Sequence, residues 1–443
     1  MSSIAQQTYR ASIRLKDALR YSAVSARLSF WALRARIWLT GGGRKRTELL
    51  LRAYRLAESQ GVRTRIRRRL EPFLGANGSD FLRAQRIGWA RYPQALSSPR
   101  VTRTIVLKAP QANGERGVLL VMFEYNWLRL FANVLDLEHL NERFHLVLST
   151  SWSPTDYALL GLALSCVHDT VFVQACNYGE IEAIEAFSPR IKCLPCIACD
   201  WINPDFYQPK SMAEREIDIL MVANWAPFKR HWQLFDALRR MPKDLRVTLI
   251  GQTEGPYTVD YARQQTKLFG VKQDIEFLEN VSIDEVTRRQ CNSRISLILS
   301  RREGCCVAAV ESLFADTPLA LLRNAHIGPK AYINDQIGVL LNGPRLDYQL
   351  QRFLDTVEKY QPRAWAVKNI SCFRSIEKVN AFFERHAQAR NLPWTTPLRT
   401  PHWRPYPTFV RAEDGAELRP VYEDLHRRYP NVFGADLIET SVR

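Results

Sequence analysis

Two textures of hydrophobic and polar positions divide the chain. Up to about residue 100 the apolar residues recur at helical steps: Leu15, Leu19, Ala26, Phe30, Leu33 and Ile37 share one face at intervals of three, four and seven. Lys16, Arg20, Arg27 and Arg34 form a basic stripe beside that face. Gly41-Gly42-Gly43 ends the segment, Arg44-Lys45-Arg46 opens the next, and Arg65 with Arg67-Arg68-Arg69 adds a further basic cluster. A basic helix carrying Trp31 and Trp38 suits a membrane interface. The more ordinary alternative is a helix packed on the body of the protein with a solvated basic rim.

From about Arg103 the period changes to that of strands. Residues 104–107 and 118–123 are short apolar runs, followed by a helical stretch over 127–140, a strand at 145–148, a helical stretch over 158–164 and a strand at 170–173. A second alternating block begins near Ile217, with strands predicted at 217–222, 246–250, 275–278, 295–299 and 319–322, and helices at 232–240, 283–291 and 307–315. Strands alternating with helices predict α/β folds whose parallel sheets are covered on both faces. The segment 211–216 reads as the link between two doubly wound halves. The predicted organisation is a basic helical extension over 1–100, an N-terminal Rossmann-like domain over 101–212, a C-terminal one over 213–370, and a helix and tail over 371–443. The tail becomes rich in Pro, Trp and Arg between Pro393 and Pro407.

Composition narrows the function classes. With 46% hydrophobic residues and 11 Trp, 16 Tyr and 20 Phe, the chain has ample core material and is not a disordered polymer. Its longest uncharged apolar run, 157–167, is shorter than the roughly 20 residues of a membrane span, and no signal-peptide pattern opens the sequence. Nine scattered cysteines read as reduced thiols and place the protein in the cytoplasm. The net charge of +17 is concentrated: residues 1–116 hold 24 Lys and Arg against 6 Asp and Glu, while the remainder holds 38 against 39. A basic arm on a neutral body implies a polyanionic partner, an anionic membrane surface or a nucleic acid. Aromatic residues are too sparse in the arm, and nucleic-acid motifs too plainly missing, for nucleic acid to be favoured.

The most informative stretch runs from Ser300 to Pro318. It leaves a predicted strand, turns through Gly304 and enters a helix, which puts it outside the carboxyl end of a strand, where open α/β sheets bind ligands. Gly304 permits close approach of a ligand to the backbone, and the N–H groups at the helix start suit a diphosphate. Glu303 and Glu311 stand eight residues apart, roughly 12 Å at helical spacing, a separation that fits one carboxylate at each end of a nucleotide-diphospho-sugar. A loop glutamate and a solvent-facing helix glutamate would show the same spacing.

The wider sequence resembles the retaining glycosyltransferases of family 4, which have the GT-B fold and an E-x7-E signature. In register with that signature, 315–320 (ADTPLA) is similar to the family's turn and strand after the helix, and 334–341 (NDQIGVLL) to its D-G-x-x-G-x-L-V element. Upstream, 219–230 (ILMVANWAPFKR) resembles the strand followed by G-R-x-x-x-x-K-G, and 200–209 (DWINPDFYQP) the inter-domain segment. The matches cover about residues 170–345. The resemblance implies two Rossmann-like domains facing across a cleft. It also implies that Glu303 binds the donor sugar, Glu311 the ribose, and Lys229 the diphosphate as the sugar leaves. The backbone at Gly304, Cys305, Cys306 and Val307 matches the turn that contacts the diphosphate. Asn224 stands where the family has an arginine, which leaves Arg230, or Arg301 and Arg302, to supply the second phosphate charge. Glu124-Tyr125-Asn126-Trp127 stands where the family has a glycine-rich acceptor loop. His145 and His168 are the candidates for the family's N-terminal catalytic histidine, each more simply an ordinary core or surface residue.

The implied activity is transfer of a sugar from a nucleotide-diphospho-sugar to a polysaccharide or lipid-linked acceptor with retention, needing neither metal nor organic cofactor. The competing expectations are a catalytically idle GT-B scaffold, which Asn224 favours and Glu303, Glu311 and Lys229 oppose, and a nucleic-acid-binding protein. Cys193-x-x-Cys196-x-x-Cys199 offers period-three thiols without a fourth ligand, so structural thiols are expected there and no metal. Cys305 and Cys306 have no adjacent His or Asp, which argues against a nucleophilic role.

Overall fold

The computed structural model describes residues 3–74, 79–134, 136–404 and 406–442. Four helices open the chain: α1 (Ser3–Arg20), α2 (Ala23–Leu39), α3 (Arg44–Leu56) and α4 (Gln60–Leu74). The periodic run read from Leu15 to Ile37 therefore crosses a break at Tyr21–Ser22. Leu33 and Ile37 are buried, whereas Leu15 and Leu19 are exposed. The chain divides into two compact units, one of Arg27–Asn203 with Cys372–Arg443, the other of Met1–Ala26 with Pro204–Ser371. The basic extension is thus not a single body, because α1 is grouped with the residues after 203 while α3 and α4 are not.

The first unit is built on a five-stranded sheet in the order β1 (Thr104–Lys108), β2 (Gly117–Met122), β3 (Phe144–Ser149), β4 (Val171–Gln174), β5 (Ile191–Cys193). β1 pairs with β2 antiparallel, and the other pairs are parallel. Val118, Leu119, Leu120 and Val121 are all fully buried, the unbroken apolar run expected of a strand covered on both faces. The longest helices connecting these strands are α5 (Glu124–Asn133) and α6 (Tyr157–Cys166). The predicted helix over 127–140 is split, because the backbone turns extended at Val134 and a short helix restarts at Leu137 with Asp136 accepting from the His139 N–H. Strand order here runs in one direction, so right-handed crossovers leave their helices on one face. Segments from the chain's end complete the core: Phe383 of the helix Cys372–Gln388 packs on Phe172 and His145, and the Tyr422 hydroxyl accepts the Val106 N–H at 2.9 Å.

The second unit carries a six-stranded parallel sheet of β6 (Ile217–Val222), β7 (Val247–Gly251), β8 (Ile275–Glu279), β9 (Ser293–Ile298), β10 (Leu319–Leu322) and β11 (Gly338–Leu341). Its order is β11-β10-β9-β6-β7-β8. The chain winds outward from β6 to β8, returns to the other side of β6 as β9, and winds outward again. The fold class read from the sequence, α/β with parallel sheets and a helical N-terminal extension, is the one observed. The reversal of winding belongs to this second sheet, whereas the first sheet winds one way. The helices that follow β6, β7, β8 and β9 are α7 (His231–Leu238), α8 (Val259–Phe269), α9 (Ile283–Cys291) and α10 (Val307–Phe314).

Candidate active site

A reversal of strand order leaves a crevice between the first strands of the two windings, because their connecting helices go to opposite faces. In the second sheet those strands are β6 and β9, which pair directly. The loops leaving their carboxyl ends are 223–230 and 299–306, and they bring together Lys229 from the first and Glu303 from the second. Lys229 Nζ donates to Glu303 Oε2 at 2.8 Å, with both side chains largely buried. Residues 74 positions apart are joined at the place where the topology puts a ligand.

Each loop is fixed by its own chemistry. Trp225 lies against Gly251, where an added Cβ would meet the Trp225 ring at 2.8 Å and the Ala223 carbonyl at 2.5 Å. Only glycine at that strand end lets the indole close down, and its Nε1 then donates to Glu279 at 2.8 Å. The loop after β9 is stitched to the segment following β10: His326 N–H donates to the Arg301 carbonyl, Glu303 N–H to the His326 carbonyl, and Gly328 N–H to the Gly304 carbonyl, at 2.8, 3.1 and 3.1 Å. Arg230 and Cys306, the residues just before α7 and α10, both hold left-handed backbone at φ 62° and 45°. For non-glycine residues this costs on the order of 1 kcal/mol or more, and such strain concentrates at functional sites.

The carboxylate of Glu303 is only half satisfied. Oε2 takes the Lys229 ammonium, while Oε1 is buried with no hydrogen-bond partner among the described residues. Leaving such an acceptor unmet costs about 1–3 kcal/mol, so the oxygen is set up to receive a donor group from a ligand. Cys306 sits beside it, and burial first, then the Glu303 charge, pushes its thiol well above the usual range. A neutral, half-buried thiol at that position packs; it does not attack. Gly304 is buried, whereas Cys305 and Val307 are partly exposed at the start of α10, whose first-turn N–H groups have no acceptor within the helix. Glu311 lies one turn into α10 and is 8% exposed. Because 304–306 is a turn, the helical spacing of roughly 12 Å between the two glutamates applies only from Val307 onward.

Asn224 and Arg230 are otherwise engaged. Asn224 donates to Glu254 at 3.1 Å and accepts from the Ala226 N–H at 3.4 Å. Arg230 is 3% exposed; its Nε and Nη2 donate to the two oxygens of Asp17 at 2.7 and 2.6 Å, and its Nη1 to the Leu299 carbonyl at 3.2 Å. Asp17 belongs to α1, which is also tied to this unit through Arg14 to Asp236 at 2.7 Å and Tyr9 to Gln265 at 3.2 Å. Tyr21, just past α1, lies under the Arg301 guanidinium at 5.2 Å.

Sequence reasoning missed both α1 as a neighbour of these loops and His231. The His231 ring is buried, stacks near Trp225 and Phe235, and leaves Nε2 unpartnered among the described residues. Burial, with the Lys229 charge second, drops its pKa to about 3. Its position directly after Lys229-Arg230 is the one sequence signal that could have marked it.

The remaining candidates lie in the first unit. His145 is buried on β3 against Phe172, Phe383 and His386, with its pKa lowered to about 3 by burial, as befits a core histidine. His168 is exposed and 3.9 Å from Glu138. Cys193, Cys196 and Cys199 are buried, and burial raises the first two thiols. Glu124 is buried at the start of α5, where Ser151 donates to it from both backbone and side chain, and burial raises its pKa. Among the described residues no group of three or more His, Cys, Asp and Glu is placed to hold a metal ion, and no helix is long and apolar enough to cross a membrane.

No curated protein matches the chain in sequence. Among solved structures it is similar to sucrose-phosphate synthase from Thermosynechococcus elongatus, at 13% identity over 61% of this chain and 74% of that one with a TM-score of 0.48. It is also similar to HepE from Anabaena in complex with UDP, at 14% identity over 61% and 78% with a TM-score of 0.46. Residues 204–366, which contain β6 through β11 and both loops of the candidate site, match the family described as glycosyl transferases group 1.

Proposed function

We propose that the protein is a GT-B glycosyltransferase that moves a sugar from a nucleotide-diphospho-sugar to a glycan or lipid-linked acceptor with retention of anomeric configuration. The observation that carries this reading is the Lys229–Glu303 pair, formed across the topological switch point inside the segment that matches glycosyl transferases group 1. Cleavage of the glycosyl–oxygen bond leaves an oxocarbenium-like sugar and adds negative charge to the departing diphosphate. Lys229 is the preorganised cation for that charge, and Glu303 Oε1 is the free acceptor for a sugar hydroxyl. Glu311 serves the ribose, and the backbone from Gly304 to Val307 serves the diphosphate. The acceptor hydroxyl adds to the same face of the sugar and its proton passes to the departing diphosphate oxygen. Lys229 supplies the positive charge, so the proposal assigns no metal or organic cofactor.

The uneven charge, with nearly all the excess of basic residues before residue 117, supports work at the inner face of a membrane as a peripheral, cytoplasmic enzyme. The test is a screen of nucleotide-sugars with detection of released nucleoside diphosphate. Release with at least one donor is expected, and Lys229→Ala should reduce it by about 10²–10³-fold, the usual effect of removing a transition-state charge partner. No release from any donor, with nucleotide binding intact, would leave a binding scaffold as the function.

A further inference from the structure

α2 is apolar on two opposite faces. Leu33 and Ile37 point into the protein and are buried. On the other side Leu28, Trp31 and Trp38, at steps of three and seven, form a stripe open to solvent, with Trp31 61% and Trp38 82% exposed and Leu39 at the end of the helix 74% exposed. One exposed apolar side chain needs no explanation, but a continuous line with two tryptophans marks an interaction surface. The flanks of the stripe are basic: at 100° per residue Arg27 and Arg34 fall on one side and Arg36 on the other, and the Arg34 guanidinium lies over the Trp31 ring at 4.7 Å.

Arg36 leads from this stripe into a cavity of about 310 Å³ within the same unit. Six basic residues line it, Arg36, Arg44, Lys45, Arg52, Arg55 and Arg91, against two acids, Glu48 and Asp156. Both acids are taken, Glu48 by Arg44 at 3.2 Å and Asp156 by Arg91 at 2.9 Å. Arg36, Lys45, Arg52 and Arg55 then surround the cavity with no carboxylate partner among the described residues. Cations gathered round one concave space repel each other unless an anion joins them, and the arginine fork matches the oxygens of a phosphate.

We propose that this cavity holds the phosphate-bearing head group of an anionic membrane lipid while the exposed stripe of α2 enters the bilayer interface. The proposal rests on, and sharpens, the reading of the protein as peripheral to a membrane. Charge complementarity chooses the occupant: tryptophans favour the interfacial layer, and arginines at its edge meet the phosphates there. A soluble phosphate would satisfy the cavity but leave the stripe beside it uncovered. These features lie outside residues 204–366, the segment that matches the family.

Co-sedimentation with phosphatidylcholine vesicles, with and without phosphatidylglycerol, tests it. The protein is expected to pellet with the phosphatidylglycerol vesicles and to stay in solution with phosphatidylcholine alone. Arg52→Gln combined with Arg55→Gln should weaken that partition roughly thirtyfold, the loss of two cations near an anionic surface. The control, Arg65→Gln with Arg68→Gln, removes the same charge from an exposed face of α4 and should weaken it markedly less. Trp31→Ser with Trp38→Ser should lower partition while leaving nucleoside diphosphate binding unchanged, which shows that the variant is folded. Equal losses in the two arginine pairs would overturn the cavity while leaving the membrane reading in place. No pelleting with either vesicle type would overturn both. Saturable binding of glycerol phosphate that depends on Arg52 and Arg55, without vesicle binding, would show the cavity serves a soluble phosphate and would overturn the lipid assignment.

Discussion

Glu303 and Glu311 present different chemistry despite their shared spacing, and their variants should separate. Glu311 is fixed on the second turn of a regular helix, and a ribose contact made there persists from ground state to transition state. Glu311→Ala should therefore weaken nucleoside diphosphate binding by about tenfold with little change in turnover at saturation; unchanged affinity by titration calorimetry would remove it from the nucleotide site. Glu303 holds Lys229 and keeps one oxygen unmet, so Glu303→Ala should lower kcat by on the order of 10²-fold with a smaller effect on KM. Glu303 was marked by its strand–turn–helix setting together with the family resemblance, and Lys229 by the resemblance alone, because motifs of that kind are carried by residues close together in sequence. The engagement of Arg230 was not legible, because nothing within a few residues of it announces Asp17. The pattern located the charge but not its partner 213 residues away.

At the scale of elements the same limit explains what the strand and helix periods conveyed. They identified β6, β7 and β9 closely, since each is a buried apolar run, but strand order is set by pairing between distant segments, so the one-way winding of the first sheet was hidden. Periodicity also carried the reading of α1 and α2 across the break at Tyr21–Ser22 and merged helices that belong to different units. The contact of α1 with α7 gives a direct test. Asp17→Asn leaves Arg230, at 3% exposure, as an uncompensated buried charge, a change that costs about 3 kcal/mol. Amides of α7 should exchange with deuterium correspondingly faster by mass spectrometry. Replacing both partners with apolar residues, Asp17→Leu with Arg230→Met, should recover most of the protection; a double variant as unstable as the single one would show that α1 is held by something else.

Across the whole molecule, acid sensitivity should follow the buried histidines. His145 and His231 have pKa values of about 3 and His402 about 4, each lowered chiefly by burial. In the unfolded chain they titrate near 6.5. The unfolded state therefore binds more protons below that pH, and stability should be fully present above about 6.5 and fall as pH drops toward 4. The melting temperature should decline over that window, before most carboxylates titrate, and His145→Phe should flatten the decline; a flat profile down to pH 4.5 would mean that these rings are hydrated. α1 leaves the ribosome well ahead of its partners, because Asp236 and Gln265, which it binds through Arg14 and Tyr9, are synthesised more than 200 residues later. At about 5–20 residues per second that interval is roughly 10–50 s, during which Tyr9 and Ile13, half-buried in the folded protein, travel with no docking surface for their helix, so nascent chains stalled before residue 230 should be captured by chaperones through residues 3–20 and released once α8 has been translated.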